Sequence, residues 1–510
     1  STLPKLYWKG LLALASLKLL VHLYAHNIYG LHRDEYLYVA EGEHLSWGYM
    51  EVPPMIAILA KTATTLFGNT TFAVRFFPML IGAISVFLVG MLARQLGGKK
   101  MAQLVAAGAF LFSPAYLGSN NLFQPVSFNQ FCWLLSAFWV VKIIRSGEAK
   151  YWYLLGVTAG LGFLTKYSIV FFLLALASAF LLTPERRLLR SKHPYLAVGL
   201  ALLIASPNLY WQHSYNWPVI GHMNELARTQ LVYMTPADFI FPQFLFHWSG
   251  SLVWLAGLWG LFRFPHLKSF RVLAWAYLLL LLLLLALSGK AYYTLGTYSI
   301  LMAAGGVVWE QWLKQRAWLL LPIILLLNAP IIPYGLPLMS LEKMQRYCAY
   351  MAENFGISRP LRWEDGQTRS IPQDFADMHG WQELPEKVAR LYHSLPPEMK
   401  AKTLVYGGSY GHAGVVNFHR DKYDLPECYS FNSSFRMWVP EDLSFEHQIQ
   451  LDDNWQDSSP YFEEVRFIDS IDHPLARDPG YLFFKTGATE DLRPVWREIV
   501  IELKKEAGIY

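Results

Sequence analysis

The chain has 510 residues, 54% of them hydrophobic and only 16% charged, with mean hydropathy +0.24, whereas a soluble globular chain carries about 25% charged residues. That composition excludes a cytosolic enzyme, a disordered protein, a disulfide scaffold and a nucleic-acid binder driven by basic surface. The net charge of +5 averages two unlike parts: residues 1–334 carry 24 Lys and Arg against 10 Asp and Glu, whereas residues 335–510 carry 19 against 28.

From the N-terminus, apolar runs predict eleven membrane spans. They lie near 7–27, 75–93, 101–117, 126–142, 152–165, 167–183, 194–210, 242–262, 271–288, 292–311 and 317–334, in a polytopic helical protein of about 11–13 spans. The first follows Lys5 and Lys9 without a small-residue cleavage site, as a retained signal anchor does; Ser1 in place of Met reads as processing or as a remnant of preparation. With the N-terminus inside, alternate loops collect 17 basic residues on the inner side and six on the outer, and Lys18 stays within the first span. An odd span count then places the C-terminal domain outside. Seven of the ten carboxylates before residue 335 fall on the outer side: Asp34, Glu35, Glu41, Glu43, Glu51, Glu225 and Asp238. The positive-inside rule does not predict this excess.

The first outer loop, 28–74, holds 34-DEYLYVAEGEHLSW-47, a short helix that Asp34 could cap, and 53-PPMIAILAKTATTLFG-68, an interfacial helix opening at Pro53–Pro54. A second long outer loop, 211–241, contains His213, His222 and Arg228. The division is then 1–336 for the membrane domain and 337–510 for a soluble α/β domain. In the latter, helical stretches at 341–355, 383–395 and 491–506 alternate with strand-like runs at 403–407, 465–469 and 481–485. Cys132 reads as a small core hydrophobe; Cys348 and Cys428 could pair in an oxidising compartment, which their spacing leaves open.

The order "DE plus aromatics, then acid-x-Pro-Pro" (34-DEY-36, 51-EVPP-54), followed by 160-GLGFLTKYS-168, 207-PNLYWQHSYNWP-218, 289-GKAYYTLGTYSILMAAG-305 and 407-GGSYGHAGVVNFHRDKYDLP-426, resembles the GT-C glycosyltransferases of the protein-mannosyltransferase type. That family includes the aminoarabinose transferase of lipid A and uses polyprenyl-phosphate sugars as donors. The resemblance implies a GT-C membrane domain and transfer of one sugar to a hydroxyl of a lipid, glycan or protein acceptor. The setting it implies is the outer face of a bacterial plasma membrane, with no nucleic-acid partner. It implies Asp34 as catalytic base beside Glu35, with Glu51, Tyr36 and His222 shaping the site. Lys290, Tyr293, Lys166 and Arg228 are implied for the carrier phosphate. Two positions depart from the family pattern. Val52 stands where Lys or His often follows the loop acid, and Asn129 stands where an Asp is common. Asn129 points away from an obligatory metal; were a divalent cation used, Glu51 and His222 are the candidate ligands.

The chemistry asks for the same groups independently. A departing phosphate needs no protonation, so a single carboxylate base and cations to receive the developing charge suffice, with inversion at the anomeric carbon expected. In the soluble domain Tyr410, His412, His419 and Arg420 are further candidates. The glycine-rich 407-GGSYG-411 lacks the Lys-Ser/Thr of a P-loop, so it reads as a strand-to-helix turn, with acceptor recognition or a lid as the functional alternative. A transporter or a non-catalytic membrane scaffold is the rival class. No inverted repeat supports a transporter, and the charges gather at one face instead of the midplane.

Overall fold

The computed structural model describes residues 3–508 apart from 230, 234 and 457. In chain order the helices are α1 (Trp8–Ala25), α2 (Arg33–Glu43), α3 (Met55–Phe67), α4 (Thr71–Gln95), α5 (Lys100–Leu111), α6 (Pro114–Ser119), α7 (Pro125–Ser146), α8 (Ala149–Thr165), α9 (Ile169–Leu182), α10 (His193–Ser214) and α11 (Pro218–Thr229). There follow α12 (Pro236–Leu245), α13 (Ser251–Arg263), α14 (Arg271–Ala286), α15 (Leu295–Leu313), α16 (Leu320–Asn328), α17 (Leu341–Phe355), α18 (Gln373–Ala376), α19 (Glu383–Ser394), α20 (Pro397–Lys400), α21 (Tyr410–Tyr423) and α22 (Leu492–Glu506). The strands are β1 (Thr403–Gly407), β2 (Cys428–Tyr429), β3 (His447–Asp452), β4 (Phe462–Asp469) and β5 (Tyr481–Ala488).

Two compact units result. One comprises Ser1–His26, Arg75–Leu209 and Met223–Leu338; the other comprises Asn27–Val74, Tyr210–His222 and Met339–Tyr510. Besides Met339–Tyr510, the second unit takes in the loop Asn27–Val74 and the segment Tyr210–His222. The reason is packing: α2 lies along α21, and Trp211 closes against Gly48, where a Cβ would come within 2.3 Å of the indole.

In the first unit, α15 is buried from Leu295 through Val308 and packs on α5, α7 and α13. Gly257 and Gly305 let α13 and α15 meet backbone to backbone, since a Cβ at either would lie 1.9 Å from a carbonyl oxygen of the other helix. Each of the eleven predicted spans contains a helix. Among the described residues, five helical segments are long and apolar enough by themselves to cross a bilayer: Trp8–Ala25, Thr71–Gln95, Pro125–Ser146, His193–Ser214 and Pro265–Ala286. Two more arise only as bent pairs, Ile169–Leu182 with Pro184–Arg190 (107°) and Pro236–Leu245 with Trp248–Arg263 (89°). Pro184 sits at the start of its segment and Trp248 takes φ +44, so the backbone cannot run straight through either break. Lys18, the lysine inside the first span, is buried. Its Nζ donates to the Tyr116 carbonyl at 3.0 Å and lies 5.2 Å from the Phe110 ring centre.

The second unit contains a mixed sheet in the order β2-β1-β3-β5-β4, parallel between β1 and both β2 and β3, and antiparallel thereafter. Helix α21 connects the parallel pair β1 and β2, as a parallel crossover requires. Predicted helices 341–355, 383–395 and 491–506 coincide with α17, α19 and α22 to within a residue. Central strand β3 carries no run of β-branched residues: 447-HQIQLD-452 buries Gln448 and Gln450 along with Ile449 and Leu451. Cys348 and Cys428 are buried free thiols.

Candidate functional site

The start of α2 is built by His32, not by Asp34 as the sequence suggested. His32 Nδ1 accepts the Asp34 N–H at 3.1 Å, and the Glu35 carboxylate accepts the His32 N–H at 2.7 Å, a reciprocal capping box. The Arg33 N–H donates to the Asp377 carbonyl at 3.2 Å, which ties this turn to the segment before α19. Glu35 is fully buried in this role. Capping by His32 spares the Asp34 side chain, which remains 29% exposed on the first turn, where the helix dipole favours a negative charge.

Asp34 Oδ1 accepts a hydrogen bond from the Tyr410 hydroxyl at 2.7 Å, a partner 376 residues away on the first turn of α21. Arg33 Nε donates to the same phenol oxygen at 3.0 Å, and its guanidinium lies 4.8 Å from the Tyr410 ring centre. Burial first, then the Asp34 charge, push the Tyr410 phenol well above its usual range, so it remains a donor at neutral pH. Behind them stand Asp478, 3.5 Å from Arg33 Nη1, and Asp377, which Arg477 binds at 2.9 Å. Burial and the neighbouring Asp453 push the Asp478 carboxyl up.

Asp34, Tyr38 and Glu41 are spaced i, i+4 and i+7, so they share one face of α2. The Tyr38 phenol is pushed well above its usual range by burial and then by Asp34, Glu41, Tyr410 and Glu51, which puts those four groups within electrostatic reach of Tyr38. Glu51 Oε2 accepts from Ser434 Oγ at 2.6 Å, and the same Oγ lies 3.1 Å from Glu41 Oε1. Tyr49 N–H donates to the Val52 carbonyl at 3.1 Å, and this tight turn buries Val52.

The other sequence candidates are distributed as follows. Tyr36 is buried between α2 and α21, edge-on to Phe418. His412 is buried; its Nδ1 lies 3.1 Å from Ser409 Oγ and its Nε2 3.3 Å from Asp453 Oδ1, while Ser409 caps α21. The 407–411 segment is thus a strand-to-helix turn. His222 is half-buried on α11, and Arg228, six residues on, is exposed. Lys166 ends α8 in extended backbone, and Lys290 precedes the 3-10 turn Ala291–Thr294, its Nζ 5.9 Å from the Tyr292 ring centre. Tyr293 stands edge-on to Tyr292, with ring centres 4.8 Å apart. The helices that follow Lys166 and precede Lys290, α9 and α14, pack together. Asn129 accepts the Trp133 indole N–H at 3.1 Å and donates to Ser168 Oγ at 3.2 Å, bracing α7 against the Lys166 loop. Among the described residues, no three His, Cys, Asp or Glu side chains are grouped to hold a metal ion.

Residues 51–211 match the family model for dolichyl-phosphate-mannose-protein mannosyltransferases. The lipid A galacturonosyltransferase RgtD of Rhizobium johnstonii is 26% identical over 295 residues, which cover 56% of this chain and 61% of that one. An undecaprenyl phosphate-α-4-amino-4-deoxy-L-arabinose arabinosyl transferase of Pectobacterium atrosepticum is 28% identical over 305 residues, 53% of each chain. The chain thus spans little more than half the length of these curated relatives. The crystal structure of ArnT from Cupriavidus metallidurans bound to undecaprenyl phosphate superposes with a TM-score of 0.64 at 15% identity, over 93% of this chain and 97% of that one. The chain has the GT-C fold. It is a multi-pass membrane protein related to these transferases, and the GT-C bundle comes with the small C-terminal sheet domain described above.

Within this GT-C chain, sequence reasoning did not single out Tyr38, Arg33, Asp377, Asp478 or Ser434. Tyr38 and Glu41 carried a readable signal, the helical spacing from Asp34. Ser434, Asp377 and Asp478 carried none, because only tertiary folding brings them to α2.

Proposed function

We propose that the chain is a membrane glycosyltransferase that takes one sugar, a hexose or a pentose, from a polyprenyl-phosphate carrier and gives it to a hydroxyl of a lipid A-type acceptor on the outer face of the membrane. The observation that carries this reading is the Asp34 carboxylate, partly exposed on the first turn of α2 and held by Tyr410. The relatives named above, a lipid A galacturonosyltransferase and an undecaprenyl phosphate-aminoarabinose transferase, support the substrate classes.

In this reading the acceptor hydroxyl gives its proton to Asp34 while its oxygen attacks the anomeric carbon. The bond from that carbon to the phosphate oxygen breaks, and the carrier leaves as polyprenyl phosphate. Tyr410 holds the carboxylate through Oδ1. The charge developing on the phosphate needs cations, and the resemblance in sequence nominates Lys290, Lys166 and Arg228, with the Tyr293 hydroxyl, for that role. Glu35 serves as a helix cap and takes no part in proton transfer. Attack opposite the phosphate inverts the anomeric centre.

The test is incubation of the purified protein with a panel of undecaprenyl-phosphate sugars and lipid A, reading polyprenyl phosphate release and the mass of the acceptor. Transfer from one of the donors, lost in Asp34→Asn, is the expected result. No transfer from any donor, or retention of configuration in the product, would overturn it.

A further inference from the structure

Ser434 Oγ touches three groups: it receives the Met50 N–H at 3.2 Å, and it lies 2.6 Å from Glu51 Oε2 and 3.1 Å from Glu41 Oε1. A serine hydroxyl owns one proton and two lone pairs. Met50 takes one lone pair, and the short contact to Glu51 takes the proton. The contact to Glu41 then closes only if Glu41 brings a proton of its own and fills the second lone pair. The surroundings of Glu41 agree. It has no exposure, and its Oε2 has no hydrogen-bond partner among the described residues. An ionised carboxylate there would keep an anionic oxygen buried without a donor, whereas a neutral acid would not. Burial, and next the Glu51 charge, push the Glu41 carboxyl well above the usual carboxylate range, against the pull of Ser434. Ser434 is delivered by a backbone at φ +56 at Ser433, a left-handed conformation that residues other than glycine rarely adopt and that tends to mark functional turns.

We propose that Glu41 is a neutral acid donating to Ser434, that Ser434 in turn donates to Glu51, and that this chain makes Ser434 and Glu41 positioning residues which aim Glu51 in the transfer site. The role in transfer rests on the glycosyltransferase reading above; the placement of the proton does not. Every donor and acceptor at the serine is then used once. The C-terminal domain thereby contributes a part of the site that the first outer loop cannot supply.

Two measurements on the full-length protein test it. Infrared difference spectra at neutral pH should show a protonated-carboxyl C=O band in the wild type that Glu41→Gln removes and Glu51→Gln retains. Its persistence in Glu41→Gln would overturn the proton placement whatever the protein's activity. In the transfer assay, Ser434→Ala and Glu41→Ala should lower kcat about tenfold or more with little change in donor KM, as expected for a lost hydrogen bond to a charged group. Ser434→Thr keeps the hydroxyl and should recover most of that loss. Glu41→Gln, whose amide can still donate, should lose at least several-fold less than Glu41→Ala. Equal losses in Glu41→Gln and Glu41→Ala, or a loss confined to KM, would overturn the positioning role. A wild type without transfer activity would instead count against the glycosyltransferase reading and leave the infrared result standing.

Discussion

Adjacent acids at residues 34 and 35 have different local environments, and the difference makes them separable by mutation. Asp34→Asn keeps the shape but removes the base, so transfer should fall by about 10²–10⁴-fold with carrier binding retained. Tyr410→Phe removes only the donor to Asp34 Oδ1; a hydrogen bond to a charged group is worth about 1.5–3 kcal/mol, so kcat should fall roughly ten- to hundredfold. Glu35→Ala should instead cost about 1 kcal/mol of stability through the lost cap, read as a lower melting temperature in detergent, with the folded fraction still active. A Glu35→Ala protein as inactive as Asp34→Asn at full folding would return Glu35 to the chemistry.

At the scale of elements, the α2–α21 contact carries the site, because it sets Asp34 opposite Tyr410. Gly414 makes the approach close enough: a Cβ there would fall 2.8 Å from the Tyr36 Cβ and 3.2 Å from its carbonyl carbon. Gly414→Val should therefore push the helices apart, with an overpacking cost of about 1–3 kcal/mol and a matching loss of transfer, checked by thermal melting and assay together. The same helix should show a pH signature. Burial, and secondly Lys422, hold His419 down at about 4, whereas in the unfolded chain it takes a proton near its ordinary value of 6.5. The unfolded state thus binds more protons in this window. The His419 contribution to stability is present above pH 6.5 and is lost as pH falls through 4. His419→Gln should flatten that part of the melting-temperature profile, and an unchanged acid slope would contradict the assignment.

For the whole molecule, the distribution of basic residues predicts topology. Single cysteines replacing Lys290 and Arg316, in a protein whose Cys132, Cys348 and Cys428 have been changed to Ala, should behave oppositely towards a membrane-impermeant thiol reagent. The site at 290 should react from outside intact cells, and the site at 316 only after lysis. Labelling of both from outside would remove the outward placement of the C-terminal domain. The helical bundle was legible from sequence because apolar runs long enough for a bilayer admit few other structures. Helix breaks such as the one at Trp248 were not, since they depend on backbone conformations that apolar composition does not reveal.

The sequence by itself determined that the chain crosses a membrane, that an acidic α/β domain follows, and that Asp34 and Glu51 lie in the same long loop, 28–74. Those are consequences of composition, periodicity and short motifs, which are local. Only the tertiary structure decided that His32 caps α2 in place of Asp34, that Tyr410 holds Asp34 across 376 residues, and that Ser434 sits between Glu41 and Glu51. The cap is a local choice between neighbouring side chains, whereas the other two are pairings between segments distant in sequence, selected by the packing of α2 on α21 and by the need of every buried polar group for a partner.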